Sequence, residues 1–206
     1  MEMYDITRSL SPAVAVWPGD RAFSAEWSAR IDEGSAVNVG AFAMSTHAGT
    51  HADAPLHFRG DGLPIDKVPL SHFVGPVIVV EISDEEAVEV LHVEGIDFGE
   101  VRRVLFKTRA SEVPDSSFAT DFVYVNPNVV RFLGAKGIVL IGTDAPSVDP
   151  FDSRELPAHQ ALAHHGIVNL ENLNLSGVEP GHYQLFALPL KIVGLDASPV
   201  RAVLVR

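Results

Sequence analysis

The interpretation of this chain is decided by one segment, His47-Ala48-Gly49-Thr50-His51-Ala52-Asp53-Ala54-Pro55-Leu56-His57-Phe58. Three imidazoles and a carboxylate alternate there with small or apolar residues. Neutral imidazole nitrogens and carboxylate oxygens are ligands that suit zinc or a similar divalent ion. The segment therefore predicts a metal site.

The donors of this segment converge only if the backbone bends. In a helix, His47 and His51 would stack one turn apart, but Asp53 would swing around the cylinder, and Pro55 opposes a helix there. In a straight strand, which rises roughly 3.3 Å per residue, the outer imidazoles lie too far apart. Gly49 is the expected bend, because glycine tolerates the dihedral angles of a sharp turn. The alternative is a strand with solvent-facing histidines and a chance aspartate.

Composition narrows the possible functions. The 206 residues, 47% of them hydrophobic, suffice for one well-buried domain, which we expect to span residues 1–206. A net charge of -12 argues against nucleic-acid binding and favours a small-molecule substrate. The sequence shows neither a membrane span nor a signal pattern, so we expect no membrane partner and a cytoplasmic location. Because cysteine is absent, any metal must be bound by His, Asp and Glu.

Short β-branched runs alternate with segments typical of helices. Strands are predicted at Pro76–Ile82, Val104–Thr108, Gly137–Gly142, Ile167–Leu170 and Leu185–Leu188, and helices at Asp84–Leu91, Pro127–Leu133 and Pro157–Gly166. This alternation indicates an α/β domain, whereas the polar, proline-rich connections argue against a doubly wound parallel sheet. We therefore predict a mixed, curled β-sheet with short flanking helices. Phe23 and Trp27 are expected in the core.

Further metal ligands must come from elsewhere in the chain. His159 lies in the first turn of a predicted helix, and Glu171 follows a predicted strand whose end could direct it into a cleft. A carboxylate at such a strand end can bridge two metals. The alternative is that His159 is a polar residue on an exposed helix face and Glu171 a surface residue, and spacing alone does not separate these interpretations.

Three stretches together resemble the bacterial kynurenine formamidases of the metal-dependent cyclase/hydrolase family. They are H-A-G-T-H-A-D-A-P-L-H-F at 47–58, G-T-D-A-P-S-V-D-P at 142–150 and D-A-S-P-V-R-A at 196–202. The first is typical of the whole family, and the other two indicate the formamidase branch. The resemblance covers nearly the whole chain, from L-S-P at 10–12 and W-P-G-D at 17–20 to the C-terminus.

The resemblance implies a fold with a two-metal site that holds zinc, or manganese in relatives. It implies that His47, His51 and Asp53 bind one ion and that His159 binds the other. It further implies that the carboxylates of Asp53 and Glu171 contact both ions. The implied reaction is hydrolysis of N-formyl-L-kynurenine to L-kynurenine and formate in tryptophan degradation.

The resemblance also implies roles outside the ligand set. His57 is implied to be the general acid/base rather than a ligand, a task that suits an imidazole because it titrates near neutral pH. Trp17 is implied to line the substrate pocket, although a core tryptophan is the alternative from sequence alone. A homodimer is also implied. Two other functions remain open: a related amide, lactam or ester hydrolase resembling isatin hydrolase, and a non-catalytic metal-binding module.

Overall fold

The strands and helices follow the hydrophobic runs of the sequence. A computed structural model describes residues 1–83 and 85–206. In chain order its strands are β1 (Met3–Asp5), β2 (Ser24–Ala29), β3 (Val39–Ala43), β4 (His51–Asp53), β5 (Val74–Glu81), β6 (Ala87–Val88), β7 (Arg103–Lys107), β8 (Tyr124–Val125), β9 (Leu140–Thr143), β10 (Val168–Glu171), β11 (Gly181–Phe186), β12 (Ala197–Pro199) and β13 (Val203–Val205). Its helices are α1 (Pro127–Ala135) and α2 (Pro157–His165).

The main sheet is mixed. Among the described residues it has nine strands, in the order β1-β13-β11-β5-β7-β9-β10-β4-β12. The central neighbours β5, β7, β9 and β10 run parallel, and the strands outside them pair antiparallel. Parallel strands are buried on both faces, which explains the continuous apolar runs of β7 and β9. The predicted α/β fold with a mixed, curled sheet and short flanking helices is confirmed.

Two apolar clusters cover the two faces of this sheet. Leu105 belongs to one cluster, whereas its neighbours Val104 and Phe106 belong to the other, as the alternation of side chains along a strand requires. The second cluster includes Leu133 of α1 and Leu162 of α2, so both helices pack on that face. This packing places the start of α2 next to the ends of the central strands.

The helices near Pro127 and Pro157 are confirmed. Asn126 is the N-cap of α1, where its side chain accepts a hydrogen bond of 2.9 Å from the backbone N–H of Asn128. Proline occupies the first helical position of both helices, where a missing N–H costs nothing. Gly166 ends α2 with a left-handed φ of 65°.

The predicted helix at Asp84–Leu91 is wrong. Asp84 lies outside the described residues, and residues 85–91 contain β6 and the start of a 3-10 turn at Val90–His92. Ala87 and Val88 are both buried, and they pair in parallel with β8. Pairing with a distant strand has therefore overridden the local helix signal.

Strands β2 and β3 form a separate two-stranded ribbon, which corrects the prediction of a core position for Trp27. Both strands are exposed along almost their whole length. Trp27 is 60% exposed and Phe42 63%. Phe23 is half-buried and stacks on Phe42, with ring centroids 6.0 Å apart. None of the described helices is long and apolar enough to cross a membrane.

Candidate metal centre and active site

The predicted bend lies at Gly49. Its φ is +65°, and an added Cβ would lie 2.8 Å from Cδ2 of Leu10, so both conformation and space favour glycine here. The turn folds His47 back beside His51, the first residue of β4, and the two ring centroids lie 4.9 Å apart. The bend therefore achieves the convergence that a straight strand does not allow.

Strand register brings Glu171 to the same place. β4 and β10 pair antiparallel, with His51 opposite Glu171 and Asp53 opposite Asn169. Directly opposed residues, and residues two apart on one strand, share a face of the sheet. The side chains of these four residues therefore project together.

The carboxylates of Asp53 and Glu171 lie between His159 on one side and His51 on the other, where His47 also contacts Asp53. Oδ1 of Asp53 lies 3.0 Å from Nδ1 of His47 and 3.3 Å from Nε2 of His51. Oδ2 of Asp53 lies 3.7 Å from Nε2 of His159. Glu171 repeats this pattern, with Oε2 at 3.6 Å from Nε2 of His51 and Oε1 at 3.5 Å from Nε2 of His159. Both acids thus lie between the same two positions.

The buried histidines are oriented by a second hydrogen bond. Nδ1–H of His51 donates to the carbonyl of Gly49 over 2.9 Å, and Nδ1–H of His159 donates to Oδ2 of Asp149 over 2.7 Å. Asp149 also accepts from the backbone N–H groups of Ala158 and His159, so it caps α2 as well. A metal-binding histidine ordinarily has such a partner, which leaves Nε2 free for the ion.

Asp196, just before β12, connects the cluster to His57. One oxygen, Oδ2, lies 2.9 Å from Nε2 of His47 and 3.3 Å from Nδ1 of His57. Its other oxygen lies 3.3 Å from the hydroxyl of Thr46, which donates to it. Unlike His51 and His159, His57 is exposed to the cavity. The carboxylate of Asp196 therefore positions both imidazoles.

The cluster fits a divalent cation. Nε2 of His51, Nε2 of His159 and Oδ1 of Asp53 are buried and have no hydrogen-bond partner among the described residues. Buried polar atoms without a partner cost free energy, and these three atoms are of types that bind zinc or manganese. Three triads offer ligand atoms within 4.8 Å of one another, namely His47/His51/Asp53, Asp53/His57/His159 and His47/His57/Asp196.

The electrostatics of the cluster favour positive charge. Burial lowers the pKa of His51, but the carboxylates of Asp53 and Glu171 outweigh it and raise that pKa to about 10. The pKa of His159 is also raised well above its ordinary value, because the hydrogen bond to Asp149 and the nearby carboxylates of Asp53 and Glu171 outweigh burial. Burial raises the pKa of Asp53, but the surrounding imidazoles hold it well below its ordinary value. When no ion is bound, protons supply the charge that the carboxylates attract.

Metal binding is therefore expected to release protons. A pKa near 10 means that His51 is protonated at pH 7 in the apoprotein, whereas a metal ligand must be neutral. Affinity should rise with pH, by about tenfold per pH unit for each proton displaced. Calorimetric titration of apoprotein with Zn²⁺, in two buffers of different ionisation enthalpy at each pH, counts the protons. The exposed His182→Gln variant should show the same linkage. Affinity independent of pH would contradict the expectation.

The cluster opens into a cavity of about 720 Å³. Its wall includes His57, Trp17, Phe118 and Phe122. Trp17 is half-buried, with its ring centroid 5.5 Å from that of Phe118 in an edge-to-face arrangement. The structure thus brings all seven residues predicted for the site to one place, five in the cluster and His57 and Trp17 on the cavity wall.

Comparison with known proteins assigns the chain to a family. A family model described as "Putative cyclase" matches residues 4–150. The chain belongs to this cyclase family. A kynurenine formamidase from Salinibacter ruber (strain DSM 13855 / M31) is 51% identical to this cyclase-family chain over 206 residues, covering 99% of the chain and 97% of that protein. A kynurenine formamidase from Erythrobacter litoralis (strain HTCC2594) is 43% identical over 206 residues, covering 98% and 93%. The resemblance seen in the sequence motifs is confirmed.

Solved structures share the fold of this cyclase-family chain. A potential metal-dependent hydrolase with cyclase activity matches it with a TM-score of 0.85 at 30% identity, covering 98% of this chain and 96% of the other. Isatin hydrolase A from Labrenzia aggregata, bound to benzyl benzoate, also has a TM-score of 0.85, at 28% identity and with coverages of 98% and 93%.

Three residues of the site were not predicted from the sequence as participants. They are Asp149, Asn169 and Asp196. The amide nitrogen of Asn169 donates to Oδ2 of Asp53 over 2.8 Å and to Oε1 of Glu171 over 2.9 Å, so it holds the two acids in place. Asp149 and Asp196 lie within stretches that carry the family resemblance, and this was an available signal. Asn169 was marked only by its spacing of two residues from Glu171 on a strand.

Proposed function

We propose that this protein is a metal-dependent kynurenine formamidase, which hydrolyses N-formyl-L-kynurenine to L-kynurenine and formate. The observation that carries the proposal is that a buried His–carboxylate cluster opens into a cavity with an aromatic wall. A formamide group facing the cluster would leave the aryl ring of the same molecule against Trp17 and Phe118. The 51% identity to a kynurenine formamidase over the full chain supports this choice of substrate.

We further propose two bound divalent ions, zinc in the first instance and manganese as the alternative. His47, His51 and Asp53 would hold one ion and His159 the other, with Asp53 and Glu171 shared. The division of carboxylate oxygens between the two histidine groups supports this arrangement, because each acid offers one oxygen on the His51 side and the other on the His159 side.

The chemistry follows from the cluster and from His57. A divalent ion held there would lower the pKa of a water molecule from 15.7 toward about 7 and would polarise a carbonyl oxygen. Amide cleavage also requires a proton on the departing arylamine nitrogen. Nδ1 of His57 faces Asp196, so its Nε2 is the atom that exchanges this proton. Asp196 keeps the imidazole oriented during the transfer.

Trp17 would bind the aromatic ring of the substrate. Its own ring is held by Phe118 and by Phe151, whose centroid lies 5.1 Å away. A ring fixed by two aromatic neighbours presents a flat apolar surface without losing rotamer freedom on binding.

A second candidate function is hydrolysis of a cyclic amide such as isatin. The structural match to isatin hydrolase A favours it, although that protein is only 28% identical. A third hypothesis is a non-catalytic metal-binding module. The cavity that opens onto the cluster argues against it, because a binding module does not need space for a substrate. Pocket contacts set specificity within one fold, so an assay must distinguish these functions.

The test measures formate release from N-formyl-L-kynurenine and ring opening of isatin by the purified, metal-loaded protein. We expect kcat/KM to be higher for the formamide. A higher value for isatin would assign the protein to the lactam hydrolases. No turnover of either substrate by protein with full metal content would favour the metal-binding module.

We also propose that the protein is a homodimer whose interface includes the β2–β3 ribbon. The apolar N- and C-terminal segments, which lie together where β1 pairs with β13, could also contribute to the interface. The ribbon exposes large apolar side chains, since Trp27 and Phe42 are both about 60% exposed. A two-stranded ribbon is marginally stable in water by itself, so a second copy covering this face would stabilise it. The single-domain extent of residues 1–206 and the cytoplasmic location stay predictions.

A charge placed on the ribbon should separate the dimer. We expect Phe42→Asp to elute as a monomer in size-exclusion chromatography with light scattering, while the unmodified protein has twice the mass of one chain. Val193→Asp is the matched control, because Val193 is 77% exposed and lies outside the ribbon. A dimeric Phe42→Asp variant, or a monomeric parent protein, would rule out this interface.

A further inference from the structure

Arg109 is a fixed cation on the wall of the cavity. It starts the 3-10 turn after β7, and its guanidinium donates to the backbone carbonyls of Glu85 over 2.8 Å and of Asp121 over 2.5 Å. These two hydrogen bonds use two of the five N–H groups of an arginine. The described residues offer no acceptor to the other three donors of this side chain, which is already oriented.

The charge of Arg109 is not neutralised by these contacts. Both acceptors are neutral carbonyls, and none of the described carboxylates lies within 4.0 Å of its guanidinium. Arg8, the other arginine on the cavity wall, differs. It is buried and forms an ion pair of 3.0 Å with Asp115, in addition to its bonds to carbonyls. Arg109 is therefore the cation suited to an anionic group of a ligand.

Asp121 brings a carboxylate to the same cavity wall as Arg109. Its backbone carbonyl accepts a hydrogen bond from the guanidinium, so the backbone of Asp121 lies next to the charged end of Arg109. Asp121 is exposed and lies on the same cavity wall. Other acidic residues there already have partners: Asp115 pairs with Arg8, and Asp196 holds two imidazoles.

We propose that Arg109 and Asp121 form a subsite for an α-amino acid group, with Arg109 binding the carboxylate and Asp121 the ammonium. In an α-amino acid the carboxylate and the ammonium group are attached to the same carbon. A site that binds both groups must therefore present a positive and a negative side chain close together. A planar guanidinium with free donors suits a carboxylate. Phe118 lies three residues before Asp121 and Phe122 directly follows it; both line the cavity, so they can hold an aryl group next to this subsite.

This inference rests on the proposed formamidase activity and makes it more specific. The cavity would bind an aryl formamide at the cluster and the amino acid end of the same molecule at Arg109. The subsite then acts in recognition of the substrate and not in the cleavage step. Its loss should raise KM more than it lowers kcat.

The test compares N-formyl-L-kynurenine with ortho-formamidoacetophenone, which has the same aryl formamide but no amino acid group. We expect Arg109→Gln and Asp121→Asn each to lower kcat/KM for formylkynurenine by about ten- to hundredfold, mainly through KM. Turnover of the acetophenone should change by less than about twofold, since it makes no contact with the subsite. Arg109→Lys should lose less activity than Arg109→Gln, because lysine keeps the positive charge but lacks the paired N–H donors of the planar guanidinium.

Arg102→Gln is the matched control. Arg102 is likewise exposed and bonded to two carbonyls, those of Gly99 and Val101, but it lies away from the cavity wall. It should leave both substrates unaffected. Asp121→Asn keeps the carbonyl that anchors Arg109, so it tests recognition even if Arg109→Gln disturbs the wall.

The outcomes separate this inference from the proposed function. If the unmodified protein hydrolyses both formamides and the variants affect both equally, or neither, the subsite is refuted and the formamidase activity stands. If the unmodified protein hydrolyses neither formamide, the proposed function itself fails, and the subsite fails with it.

Discussion

Glu171→Gln is expected to abolish nearly all turnover and to lower the content of bound metal. The substitution removes the charge of a carboxylate that lies between His51 and His159, while it preserves the shape of the side chain. A catalytic ion contributes several kcal/mol of transition-state stabilisation, so activity should fall by about a thousandfold or more. Metal analysis by mass spectrometry together with the formylkynurenine assay measures both effects.

The fold of this variant should persist. Oε1 of Glu171 accepts from the backbone N–H of Val148 over 3.1 Å and from the amide of Asn169, and the carbonyl oxygen of a glutamine can accept both bonds. The circular dichroism spectrum should thus be unchanged. Glu94→Gln, at an exposed position away from the cavity, is the control for handling and purification. A Glu171→Gln variant that keeps its metals and its activity would contradict the proposal that Glu171 is shared by two metal ions.

His57→Ala is expected to retain its metals and lose most of its turnover. Proton transfer by a positioned side chain is typically worth about 10²–10⁴-fold, and kcat should fall within that range. The cluster itself should bind metal as before, because its buried donors come from other residues. The variant's metal content and its kcat, measured on the same preparation, test the assignment.

The structure allows an alternative role for His57, that of a metal ligand, which makes this test informative. Its imidazole lies close enough to Asp53 and His159 to complete a ligand triad. Equal losses of metal and turnover would make it a ligand and refute the role in proton transfer. Asp196→Asn supplies a second readout, since it keeps the size of the side chain that orients His57 but removes its charge. We expect a smaller loss of kcat than in His57→Ala, with a changed pH profile.

Much of the fold could be predicted because its signals are local. Asn126 followed by Pro127 marks the start of α1, and Gly166 marks the end of α2; these features act within a few residues. The two wrong predictions, a helix at 84–91 and a buried Trp27, have a different cause. Ala87 and Val88 form a strand because β8 lies beside them, and Trp27 is exposed because its ribbon stands apart from the main sheet. Neither neighbour relation is encoded locally.

The donor types of the candidate site and the need for a bend at Gly49 follow from the amino-acid sequence alone, since the chemistry and chain geometry of one short segment suffice for both. Three features depend on long-range contacts: Glu171 lies opposite His51, Asn169 holds the two acids, and the guanidinium of Arg109 binds the backbone carbonyl of Asp121. Strand register and loop packing depend on contacts between residues far apart in the chain. A shift of one residue between β4 and β10 would turn these side chains to the opposite face of the sheet.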